Sequence, residues 1–230
     1  MREATSNLKV VFFLGQLFGA FVRRTFSMED LVERIPVDRR FSSTDLALVT
    51  ADTGTSAIEL TTALSKYLSK VSVPGHEVNF EDALQKLRNA LHILYHPEAE
   101  RNIQSIRRAI EWGFDAEIEE DETTRFIKTC IGLEAVLADQ VEGIGITEQL
   151  ADRCAFLLSR TSTEREAIRK KVREIYKLRS KVVHGATAGL SPHDATIASR
   201  ASAYLSTIVR HELNGVVSWW ENRASSSSKH

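Results

Sequence analysis

From about residue 55 onward, apolar residues recur at intervals of three and four, and the chain offers few residues able to break such a pattern. Only 4 Pro and 11 Gly occur among 230 residues, which favours long helices over a turn-rich β fold. The first stripe is Ile58, Leu60, Leu64, Tyr67, Leu68 and Val71, ending before Pro74-Gly75. A second is Phe80, Leu84, Leu87, Leu91 and Leu94, closed by His96-Pro97. A third holds Ile103, Ile106, Ile110 and Phe114, a fourth Phe126, Ile127, Ile131, Glu134 and Leu137, and a fifth Leu150, Leu157 and Leu158. The sixth, from Glu164 to about His184, carries Ile168, Val172, Ile175, Tyr176, Val182 and Val183 on one side. The seventh opens with Ser191 as N-cap, Pro192 at the first helical position and Asp194 at the third, a strong start signal. Asn214-Gly215 marks a candidate interruption before Trp219-Trp220. The fold class is therefore mainly α, and 43 % hydrophobic residues suffice for a core without cross-links.

The first 75 residues are less determined. Leu8 to Leu14 and Leu46 to Thr50 fit strands as well as helices, because short apolar runs do not reveal their period. Ser27-Met28-Glu29-Asp30 is a possible helix start. Val10 to Val22 resembles a leader core, but it lacks a small-residue cleavage site and is followed at once by Arg23-Arg24. It also falls short of the about 20 apolar residues needed to cross a bilayer. It is read as a buried helix or strand of a cytoplasmic protein with no membrane partner. A soft boundary falls at Val73 to Asn79, dividing residues 1–75 from a helical domain over residues 80–222. The serine-rich tail, residues 224–230, is expected to be disordered.

Two cysteines, Cys130 and Cys154, sit inside helical patterns without partners at metal-ligand spacing and are read as buried thiols. The sequence has no HExxH, CxxC, phosphate-binding loop or GxGxxG, so no cofactor and no metal is implied.

Charge is balanced overall, 30 Lys plus Arg against 31 Asp plus Glu, but not locally. Asp115, Glu117, Glu119, Glu120, Asp121 and Glu122 form an acidic run, read as a solvated loop between helices. Residues 160–181 hold Arg160, Arg165, Arg169, Lys170, Lys171, Arg173, Lys177, Arg179 and Lys181 against Glu164, Glu166 and Glu174. Such a basic rod is the footprint of a phosphate-backbone binder. The alternative is a solvated helix laced with pairs such as Glu166 with Lys170.

The rod ends in Tyr176-Lys-Leu-Arg179-Ser180-Lys-Val-Val-His184-Gly185. Arginine and histidine together can cleave RNA without a metal. The imidazole moves a proton at the ribose 2′-hydroxyl or the leaving 5′-oxygen, while the guanidinium neutralises charge growing on the phosphate. Gly185 is placed to end the helix in a left-handed cap, setting His184 beside the negative pole of the helix dipole. Arg223 and His230 repeat a similar spacing in the tail, without that context. The competing reading has His184 capping the last carbonyls and Arg179 pairing with a glutamate. In a regular helix Arg179 and His184 point about 140° apart and lie about 7.5 Å apart along the axis. Either the helix bends near Ser180, or two copies of the chain assemble one composite site across a two-fold interface.

The stretch Glu174-Ile-Tyr-Lys-Leu-Arg-Ser-Lys-Val-Val-His-Gly185, preceded by Phe126-Ile-Lys-Thr-Cys-Ile-Gly-Leu-Glu-Ala-Val-Leu137 and Leu150-Ala-Asp-Arg-Cys-Ala-Phe-Leu-Leu158, resembles the HEPN superfamily, and within it the Apea-like HEPN proteins. The resemblance spans roughly residues 80 to 222. It implies an antiparallel helical bundle that dimerises, acting as a metal-independent endoribonuclease on single-stranded RNA such as tRNA or mRNA. It further implies an antitoxin or sensor as partner and a role in toxin-antitoxin or anti-phage defence. Arg179 and His184 match the family's catalytic pair. Ser180 stands where many members carry a residue able to do acid-base work. Glu134 matches the glutamate of the Leu-Glu-Ala block and is expected either to position Arg179 or to pair with another base. Tyr176, Ser180, Lys181, Lys170, Lys171 and Lys177 are the supporting or RNA-binding candidates, with Tyr176 equally suited to the core. A catalytically inactive HEPN module for RNA or nucleotide sensing or for dimerisation is the first rival. An all-α interaction domain using Trp219-Trp220 and the Phe-rich start as partner surfaces is the second.

Overall fold

In a computed structural model of the chain, the described residues are 2–23, 71–72, 79–96, 101–138, 145–185 and 189–227. Among them are α1 (Arg2–Phe18), α2 (Phe80–Leu94), α3 (Arg101–Glu117), α4 (Glu122–Leu137), α5 (Ile146–Leu158), α6 (Ser162–Val183) and α7 (Pro192–Ser227). A two-residue ladder joins β1 (Val22–Arg23) to β2 (Val71–Ser72), with Val22 opposite Ser72. The protein is thus mainly α. The stripe from Ile58 to Leu68, the strand candidate Leu46 to Thr50 and the helix start at Ser27 lie outside the described residues. Val71, expected on that stripe, is in β2 instead.

Side chains that satisfy the first free N–H groups set most helix starts. Asn79 accepts from the Asp82 N–H, Asp121 from Thr124 and Thr161 from Glu164. At α7 the Ser191 hydroxyl accepts from the Asp194 N–H, and the Asp194 carboxylate accepts in turn from the Ser191 N–H and hydroxyl. That reciprocal box is the start the sequence signalled.

One core cluster runs through every helix. Phe114, Phe126, Ile110, Ile175 and Ile208 are among its largest fully buried side chains, each stabilising by about 1.5–3 kcal/mol relative to exposure. The main neighbours are α3 with α4, α5 with α6, and α1 with α3, while α7 touches each of α2 to α6. The ambiguous N-terminal run is helical: Val10, Phe13 and Leu14 are buried, the spacing of one helix face. It therefore belongs to the same core as the helices beyond residue 80. Phe13 lies so close to α3 that a Cβ on Gly113 would be 2.5 Å from its ring. Ion pairing reinforces the docking, with Lys9 2.8 Å from Asp115 and the Ser6 hydroxyl donating to Glu111.

Three expectations are corrected. Asn214-Gly215 does not interrupt α7, because Leu213 is buried and Val216 and Val217 pack against the core on either side of the pair; one glycine costs only about 1 kcal/mol in a helix. The same helix continues through Ser227, four residues into the tail expected to be disordered. The acidic run is not simply a solvated loop. Asp115 anchors α1, Asp121 caps α4, and Glu119 pairs with Lys128 at 2.6 Å while its carbonyl accepts two bonds from Arg125. Both cysteines are buried as read, and burial pushes the Cys154 thiol up to about 12.

Candidate functional site

The helix α6 carries almost every candidate, and its phases sort them. Val172, Ile175, Tyr176 and Leu178 turn inward and are buried. Arg179 lies on this inward side and reaches α4, where its Nε is 3.0 Å from Glu134 Oε1 and its Nη2 donates to Oε2 at 3.3 Å. The Nε atom is itself buried, and its N–H direction does not complete a hydrogen bond with the nearby carboxylate oxygen. The side-on contact is therefore electrostatic at one point and hydrogen-bonded at the other. With Nε and Nη2 facing the carboxylate, Nη1 makes no hydrogen bond among the described residues and the side chain stays 32 % exposed. That exposure leaves the guanidinium reachable by an anion.

Half-burial pushes the Glu134 carboxyl above the usual carboxylate range, against the opposing pull of Arg179 and the Tyr176 hydroxyl. Tyr176 is buried, with its hydroxyl 3.5 Å from the Cys130 carbonyl oxygen. Burial raises both the Tyr176 phenol and the Cys130 thiol. Tyr176 thus takes its core alternative and is not placed to touch RNA.

Beyond Arg179 the helix remains regular to Val183, so the bend considered at Ser180 does not occur. Ser180 and Lys181 are exposed. His184 is the C-cap; its backbone N–H donates to the Ser180 carbonyl at 3.0 Å and its side chain is exposed. Gly185 follows at φ +68° and donates to the Val182 carbonyl, the left-handed ending the glycine was expected to supply. The structure brings Arg179, Glu134 and Tyr176 together. It leaves His184 at the solvent-facing end of the same helix.

The basic rod is resolved into two edges. Along one, Arg173 forks onto Glu148 of α5 at 2.9 Å, Arg169 meets Asp152 at 2.5 Å, and the Arg165 guanidinium lies 5.2 Å from the Phe156 ring centre. These rungs ascend α5 in steps of four while descending α6. Glu166 braces Arg169 and Arg173 rather than Lys170, and Glu174 reaches Arg200 of α7 at 3.1 Å. Along the other edge Lys170, Lys177 and Lys181 are exposed, with Lys171 exposed on the flank. Sequence reasoning missed the ladder, although Glu148 and Asp152 on α5 repeat the four-residue spacing of Arg169 and Arg173.

Two cavities of about 180 and 250 Å³ share Arg125 and Ser202 and include none of the motif residues. Among the described residues no group of three His, Cys, Asp or Glu could hold a metal ion, and no helix is long and apolar enough to cross a membrane. Compared with protein-family models, with curated proteins and with solved structures, the chain matches none.

Proposed function

We propose that the protein is a metal-independent endoribonuclease of the HEPN type, an antiparallel helical bundle working as a cytoplasmic homodimer on single-stranded RNA. The observation that carries this reading is the arrangement on α6: a guanidinium held by Glu134 yet one-third exposed, and a solvent-facing histidine one and a half turns further along an unbent helix. Arg179 supplies fixed positive charge to a phosphate through its Nη1 edge. His184 moves the proton. Attack of the ribose 2′-oxygen on phosphorus displaces the 5′-oxygen and leaves a 2′,3′-cyclic phosphate and a 5′-hydroxyl, with the histidine serving one of the two proton transfers, off the 2′-hydroxyl or onto the leaving oxygen, and solvent water the other. Because the two side chains diverge on a regular helix, each site draws Arg179 from one protomer and His184 from the other. Control by an antitoxin or sensor, and a role in defence, follow from the same family reading.

The test is cleavage of single-stranded RNA in the presence of chelator. His184→Ala and Arg179→Ala should each abolish cleavage while His184→Ala still binds RNA, and mixing the two inactive variants should restore activity by reconstituting one complete site per mixed dimer. Cleavage that survives in His184→Ala, or that requires a divalent metal, overturns the mechanism. The Arg179–Glu134 pair also favours a second reading, a non-catalytic module in which this ion pair only joins α6 to α4. Wild-type protein that binds RNA and never cleaves it would establish that alternative.

A further inference from the structure

The two edges of α6 differ in how much of their charge is free. Arg169 and Arg173 are neutralised by Asp152, Glu148 and Glu166, and Arg165 is laid against Phe156. The lysine edge has no such partners: among the described residues Lys170, Lys177 and Lys181 make no ion pair, and all three are exposed. On a helix of 3.6 residues per turn, Lys177 and Lys181 fall within about 20° of Lys170, whereas Lys171 is rotated by about 100°. The helical rise separates the three by about 10 Å and then about 6 Å, and His184 follows about 4.5 Å beyond. Of the acids near this edge, Glu174 is drawn aside by Arg200, and Asp194 of α7, close enough to feel the Lys181 charge, is hydrogen-bonded by Ser191 and makes no ion pair with the lysine.

We propose that Lys170, Lys177 and Lys181 form a single-file track for the phosphate backbone of single-stranded RNA, along which the substrate lies on α6 with its scissile bond at the His184 end. This rests on the ribonuclease reading of Arg179 and His184 and adds where the substrate runs. A double helix presents two phosphate rows, and the second row of cations it would need is the arginine edge already consumed by α5. A lipid surface is disfavoured because the apolar side of α6, Val172, Ile175 and Leu178, is buried in the core and offers nothing to insert.

The probe is a short single-stranded RNA with 2′-O-methyl groups throughout, which binds but lacks the nucleophile. Binding of the full chain is measured against salt. The triple variant Lys170→Gln, Lys177→Gln, Lys181→Gln should lower the slope of log affinity against log salt by about 2, since each single-strand phosphate contact contributes about 0.7. Replacing the same three lysines by arginine should keep the slope, as should the paired change Arg88→Gln and Arg108→Gln, which removes exposed charge from α2 and α3. An unchanged slope in the glutamine variant, an equal loss in the α2–α3 variant, or competition by polyglutamate or duplex RNA as effective as by the single strand overturns the track. The underlying reading fails separately: a wild type that shows the slope but no chelator-resistant cleavage loses the nuclease and keeps the track.

Discussion

Arg179 and Glu134 show how one contact serves two ends. A half-buried cation needs a counter-charge, and the side-on geometry supplies one while leaving Nη1 available. Removing the carboxylate altogether strands the Arg179 guanidinium without its hydrogen-bond partner, so Glu134→Ala should destabilise the fold by about 1–3 kcal/mol, the usual cost of an unsatisfied, partly buried polar group. Urea denaturation measures it; a variant as stable as the wild type would mean the pair contributes no net stability. The motif residues were legible in sequence because Arg179, His184 and Gly185 sit at fixed offsets on one helix. The sequence offered Glu134 either as the residue positioning Arg179 or as a partner for another base; across 45 residues only the meeting of α4 with α6 selects the first of these.

At the scale of elements, periodicity carried most of the information. Helices α2 to α6 arise from apolar stripes of ordinary length, with α2, α4 and α6 opened by the side-chain caps Asn79, Asp121 and Thr161, so their existence could be read directly. The N-terminal run resisted the same reading because nearly all its residues are apolar, and only the docked structure shows which of them form the buried face. Asn214-Gly215 misled for the opposite reason: a strong local turn signal is overridden by the packing of Leu213, Val216 and Val217. Close approach of helices supplies a test at this scale. Gly113→Ala raises helix propensity, yet the added methyl would meet the Phe13 ring at 2.5 Å. The expected result is a net loss of about 1–3 kcal/mol from overpacking, read by thermal unfolding; a more stable variant would show that α1 yields freely.

Over the whole molecule, carboxylates hold the structure together in its acid range. Hydrogen bonds from Lys128, Thr124, Arg173, Ser159 and Ser191 respectively hold Glu119, Asp121, Glu148, Glu164 and Asp194 below their ordinary values of 4.5 for glutamate and 3.8 for aspartate. Each such group contributes stability that is fully present above its unfolded value and lost as pH falls through its lowered folded value. Glu134 acts in the other direction: burial raises it, so it weakens the fold as pH rises above 4.5. With five such groups against one among the described residues, the melting temperature should decline progressively as pH drops below about 4.5; circular dichroism between neutral and strongly acid pH follows it, and a flat profile would contradict the assignment. The seating of α1 has a further consequence, in time rather than in energy. The Lys9 to Asp115 contact closes a loop of 106 residues, and Arg210 reaches the Leu17 carbonyl across 193. During synthesis α1 emerges well before α3, the helix that receives it. The docking of α1 on α3, like that of α7 on α2 and α3, adds contacts of long sequence separation to a helical bundle, and such distant closures slow folding relative to a bundle of purely local contacts.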